Sequence, residues 1–96
     1  EFGLSREEQD DFALKSHQKA VAAQNNGRLA EEIAPVFMPP HYKEYVAQDV
    51  GPRAEQTKEQ LAKLKPFFDR KYGTITVGNA CPITDGAAAV LLMSRK

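Results

Sequence analysis

The chain has a single cysteine, Cys81, and two histidines, His17 and His41, among its 96 residues. One thiol cannot form an internal disulfide. These three side chains also cannot supply C-x2-C or H-x3-H ligand spacing, so no structural zinc or other metal site is expected. Long apolar runs are equally scarce. The longest, from Gly86 to Met93, spans eight residues, against the roughly 18 to 20 needed to cross a bilayer, so no membrane span is expected. Residues Glu1 to Glu8 hold neither a basic start nor an apolar stretch, which argues against a signal peptide and makes the cytoplasm the expected compartment. Net charge is absent too, with 13 basic against 13 acidic residues. With few arginines and no aromatic interleaving of the RNA-reading kind, nucleic acid is not an expected partner.

What is present is ordinary globular material: 42% apolar and 27% charged residues, too apolar for compositional disorder. The length suggests one domain that would bury about 60–65% of its extended surface, giving a thin core. The neutral total hides an asymmetry. Residues 1–50 carry five basic and nine acidic side chains, whereas residues 51–96 carry eight and four. The basic surplus lies in Arg53, Lys58, Lys63, Lys65, Arg70 and Lys71, a patch that suits either an anion such as a nucleotide phosphate or a solvated helix face.

Ser5 followed by Glu8 forms a capping box, acidic residues fill the next turns, and Asn26-Gly27 supplies a left-handed end, so a helix is expected from about Arg6 to Asn25. Its inward stripe reads Phe12, Ala13, Ser16, Ala20 and Ala23, with Val21 beside it. The run Glu31–Met38 looks extended, but Pro35 cannot donate to a ladder, which makes it an edge strand or a loop beside a sheet. Residues 41–52 lack periodicity and read as a loop with some extended pairing. Thr57 with Gln60 is a second capping box, opening a short helix from about Thr57 to Lys65 that Pro66 ends. Gly73–Gly78 is a β-branched alternating run that reads as a strand, closed by a turn at Gly78 and Asn79. The run after Asp85-Gly86 reads as a buried strand or a short helix entering one.

Taken together, Gly73-Thr74-Ile75-Thr76-Val77-Gly78-Asn79-Ala80 through Asp85-Gly86-Ala87-Ala88-Ala89 resembles the thiolases, the CoA-dependent acyltransferases of fatty-acid degradation and acetoacetyl-CoA metabolism. Ser5-Arg6-Glu7-Glu8-Gln9-Asp10, Phe12-Ala13, Ser16-His17-Gln18-Lys19-Ala20, Gly27-Arg28 and Glu31-Glu32-Ile33 are similar to the same family in the same order. So are Gly51-Pro52-Arg53, Ala62-Lys63-Leu64-Lys65-Pro66 and Phe68-Asp69. The resemblance implies an α/β fold, here an α+β fragment with one long helix, one short helix and two to three strands. Residues 1–72 would be the latter part of a CoA-binding loop domain, and residues 73–96 the start of the return into the N-terminal core. The family's nucleophilic cysteine would precede this stretch, and its histidine and acid/base cysteine would follow it. No catalytic residue is therefore expected here, and the chain alone should be inactive.

The family reaction passes an acyl group from acyl-CoA to the first cysteine, and Claisen chemistry then joins it to, or separates it from, acetyl-CoA. A CoA thioester is the substrate implied. The resemblance also implies site residues. Arg53 matches an arginine at the nucleotide end of CoA, where a planar guanidinium stacks on adenine and neutralises phosphate. Phe68 matches an aromatic packed along the cofactor, Val77 a small residue lining the pantetheine channel, and Cys81 a serine that contacts pantetheine. Gln60 and Pro82 depart from the family's serine and glycine. The parent is expected to be a homo-oligomer, and the isolated chain to self-associate through the unpaired Gly86–Met93 edge. Against this stands an independent small helical adaptor module that binds a protein or an anionic partner. Cys81 reads as an inert pocket wall, because no base or cation adjoins it in sequence. His17 reads as a packing or hydrogen-bonding residue, His41 as an exposed loop residue, and Glu31 and Glu32 as solvated carboxylates pointing to opposite faces.

Overall fold

The computed structural model describes residues 3–95. Helix α1 runs over Arg6–Asn25. Its capping box is formed in both directions: the Glu8 N–H donates to the Ser5 hydroxyl, and the Ser5 N–H donates to the Glu8 carboxylate at 2.8 Å. The Ser5 N–H, with the Ser5 hydroxyl donating to the same oxygen at 2.9 Å, holds the Glu8 carboxyl below its ordinary pKa. At the other end Gly27 takes φ +73°, a left-handed value that glycine adopts without steric cost, and its N–H donates to Gln24. A turn follows at Leu29–Ile33, so exposed Glu31 and Glu32 sit in a turn and not in the expected extended run. Strands β1 (Val36–Phe37) and β2 (Tyr45–Val46) pair antiparallel, with Val36 opposite Val46 and Phe37 opposite Tyr45. Helix α2, Lys58–Ala62, starts at Thr57 with its own capping box and continues as a turn to Leu64.

Two expected extended segments do not form strands. In the first, 73–78, local side-chain bonds replace a ladder. Asn79 Oδ1 accepts from the Thr76 N–H at 2.7 Å, Asn79 Nδ2 donates to the Thr74 carbonyl, and the Thr76 hydroxyl accepts from the Gly78 N–H. Short polar side chains offer the backbone this alternative to pairing, and here it bends the chain into a turn. The second segment, 85–93, has no helix or strand, and Val90, Leu91, Leu92 and Met93 are each more than 80% exposed. A strand needs a neighbouring edge, and this segment meets none among the described residues.

The inward face of α1 also differs from the expected stripe. Phe12 is 77% exposed and Ser16 is exposed, while Asp10 is buried. The face that packs carries Arg6, Asp10, His17 and Gln24: Arg6 bonds α2, Asp10 bonds Asn79, and His17 and Gln24 bond the two ends of the segment 49–53. Asp10, His17 and Gln24 are seven residues apart in turn, two helical turns each, so they stand in one row. Long-range order thus rests on a polar seam with a small apolar centre. Among the described residues only Leu61 is a fully buried apolar side chain.

That arrangement leaves the molecule open. The chain exposes 9272 Å², where a self-contained globule of this mass exposes about 5,500 Å². Its radius of gyration is 18.1 Å, where a compact domain of this length has about 12.5 Å.

Candidate functional site

The seam assembles α1, α2 and the turn at 76–80 around Asp10. Arg6 Nε donates to Asp10 Oδ2 at 2.8 Å, and Asn79 Nδ2 donates to Asp10 Oδ1 at 2.9 Å. The Arg6 guanidinium also donates to the carbonyls of Leu61 and Leu64, at 2.7 and 3.0 Å. Both carbonyls lie at the C-terminal end of α2, where a cation suits the helix dipole. On the outer side Lys58 reaches Glu7 and Asp11, each at 3.0 Å, and the two carboxylates, Asp11 first, raise its pKa. Lys58 is thereby spent on α1, so the basic patch read from sequence is partly neutralised. Lys71 lies 4.8 Å over the Tyr72 ring.

Gly78 packs against α2 so closely that an added Cβ would stand 2.6 Å from both Leu61 Cδ2 and Leu64 Cδ1. A larger residue would have to push those leucine side chains aside for the turn carrying Val77 and Asn79 to lie against the helix. Below it, the Phe67 N–H donates to the Ile75 carbonyl at 2.9 Å, tying the segment that bears Phe68 to the one that bears Val77. Phe68 stacks edge-on against Phe67 with ring centroids 5.2 Å apart. Asp69 closes the next turn: its Oδ1 accepts from the N–H groups of Lys71 and Tyr72, which hold its carboxyl below the ordinary 3.8.

Arg53 lies on the far flank of α2. It lines a cleft of about 530 Å³ with Ala54, Glu55, Gln56, Gln60 and Leu64. Its main chain is held at both polar groups. The N–H donates to His17 Nδ1 at 3.2 Å, and the carbonyl accepts from the Gln56 N–H. Gln60, the departure from the family pattern, uses its amide oxygen to cap α2, accepting from the Thr57 N–H at 3.0 Å. Leu64 therefore borders both the Arg53 cleft and the Gly78 turn.

Of the four site residues suggested by sequence, only Arg53 lines this cleft. Phe68 is 78% exposed, Val77 is 70% exposed and Cys81 is exposed. They follow one another on the segments that α2 and the Phe67–Ile75 bond hold together, and they face solvent. His17 proves to be a hydrogen-bonding residue and His41 an exposed one, as read. The polar seam is not among the sequence expectations, and the seven-residue spacing of Asp10, His17 and Gln24 is its signal in the sequence.

A long capped helix, a short capped helix, a two-stranded hairpin and a glycine-bearing turn folded over α2 define a small α+β unit of thiolase type. The chain belongs to the thiolase family: the family described as "Thiolase, N-terminal domain" matches residues 1–96. It is 50% identical over 93 residues to a 3-ketoacyl-CoA thiolase of Escherichia coli strain SMS-3-5, covering 97% of this chain and 21% of that protein. It is 47% identical over the same span to the 3-ketoacyl-CoA thiolase of Shigella boydii serotype 18. Among solved structures it superposes on the acetyl-CoA acetyltransferase of Bacillus anthracis with a TM-score of 0.74 at 40% identity, over 82% of this chain and 20% of that one. The acetyl-CoA acetyltransferase of Syntrophomonas wolfei gives 0.70 at 37% identity, over 78% and 18%. The chain thus spans about a fifth of the length of the curated relatives it matches.

Proposed function

We propose that this chain is the CoA-holding segment of an acyl-CoA:acetyl-CoA C-acyltransferase and contributes no reacting group to the exchange. Residues 1–72 form the latter part of the loop domain, and residues 73–96 begin the return into the N-terminal core. Arg53 meets the nucleotide end of a CoA thioester, Phe68 packs along it, and Val77 and Cys81 line the path of the pantetheine arm. The observation that carries this reading is the arrangement at Arg53, whose backbone is fastened while its guanidinium has no ion pair among the described residues. A fixed main chain and a free guanidinium beside a cleft suit recognition of phosphate and an aromatic base.

Covalent exchange of the acyl group falls to side chains outside this segment. The open form supports that division of labour, because Val77 and Phe68 are apolar and exposed, half of a pocket awaiting its other wall. Surface left bare along Gly86–Met93 supports the same reading over an independent adaptor module. In the full-length protein, Arg53→Ala should raise the CoA dissociation constant about fivefold or more, the scale of one charge-assisted contact. An unchanged constant by titration calorimetry would remove Arg53 from the site. The isolated chain is expected to self-associate and to leave acyl-CoA intact.

A further inference from the structure

We propose that His17 is the positioning residue that sets Arg53 for its ligand. This inference rests on the reading of Arg53 given above. It starts from how the segment Asp49–Arg53 is attached. At its first residue, Gln24 Nε2 donates to the Asp49 carbonyl at 2.9 Å. At its last, the Arg53 N–H donates to His17 Nδ1 at 3.2 Å. Gln24 and His17 are seven residues apart on α1, so one helix row holds both ends of a five-residue strap.

Little else restrains the strap. Val50 in its middle is 93% exposed, Gly51 would meet nothing within 4 Å if it carried a Cβ, and Pro52 has no N–H to give. The Arg53 carbonyl bond to Gln56 lies beyond the strap, toward α2. His17 is therefore what couples the Arg53 main chain to the rigid helix. An imidazole accepting at Nδ1 carries its proton on Nε2, so His17 acts here as an acceptor. Lysine or arginine could not take its place, since neither accepts a hydrogen bond. Glutamine could, through its amide oxygen. A guanidinium on a mobile strap must be ordered when its ligand arrives, and anchoring the backbone in advance removes that cost.

The test is a double-mutant cycle in the full-length protein, read by CoA titration calorimetry and by amide exchange at Arg53. His17→Ala should raise the CoA dissociation constant about three- to tenfold, the scale of one positioned hydrogen bond. The Arg53 N–H should exchange faster, and His17→Gln should restore both readouts. In an Arg53→Ala background, His17→Ala should add nothing, because its effect passes through Arg53. A full, additive loss in that background would overturn the proposal, as would unchanged exchange at Arg53. A general loosening of the fold would give that additive result and so counts against it. If Arg53→Ala alone leaves CoA binding intact, the reading of Arg53 fails first and carries this inference with it.

Discussion

Replacing Asp10 with alanine should loosen the seam that joins α1 to the turn at 76–80 and, through Arg6, to α2. Asp10 is 2% exposed and accepts from both Arg6 Nε and Asn79 Nδ2. Truncation strands one donor on each. Breaking a buried ion pair costs about 3–5 kcal/mol when nothing replaces the lost partner. The Arg6 side chain is 23% exposed and keeps its bonds to the Leu61 and Leu64 carbonyls. Asn79 likewise keeps its bond to the Thr74 carbonyl. Water and these residual bonds offset part of the loss, which brings the expected cost to about 3 kcal/mol. Native-state amide exchange at Leu61 and Leu64 reads this directly, since their N–H groups close the turns of α2. Protection there should fall roughly a hundredfold, at about 1.4 kcal/mol per tenfold. Asp11→Ala is the control: Asp11 is 40% exposed and shares Lys58 with Glu7, so protection of α2 should be unchanged. A loss of less than about fivefold for Asp10→Ala would refute the view that this seam holds the unit together.

Alanine at the two crowded glycines should separate backbone from side-chain clashes. At Gly73 the new methyl would run into the Asp69 carbonyl oxygen, a backbone atom that cannot yield without opening the turn. At Gly78 it would meet the ends of two leucine side chains, one of them half-exposed, for a cost of about 1–3 kcal/mol. Thermal melts should rank Gly73→Ala as the more damaging, and the reverse order would contradict the packing described. Acid should open the Asp69 turn. Its carboxyl is held below 3.8 in the fold, so the contribution is present above that value and is lost as pH falls through the folded pKa. Exchange at the Tyr72 N–H should quicken through that window, and Asp69→Asn, which keeps an acceptor, should abolish the dependence.

Elements held by neighbours in sequence are legible from the sequence itself. The Ser5–Glu8 and Thr57–Gln60 boxes, the Asn26-Gly27 end and the break at Pro66 each act within a few residues, and both helices form where those signals stand. The turn role of Gly78 and Asn79 was legible for the same reason. Strands were harder, because a ladder depends on a second segment. The β-branched run 73–78 had the composition of a strand, yet Asn79 and Thr76 bent it through their own side chains. The packing face of α1 does not follow apolar periodicity, because a row of polar side chains does the packing.

Local hydrogen bonding therefore decided in the sequence where this chain turns helical and where it stops. Tertiary structure alone decided that Asp10 receives the turn at 76–80, that His17 and Gln24 receive the two ends of the strap 49–53, and that Leu64 borders both the Arg53 cleft and the Gly78 turn. The reason is physical: a cap is satisfied by its own helix, whereas a buried carboxylate, an imidazole acceptor or a close-packed glycine has meaning only once its partner has arrived from elsewhere.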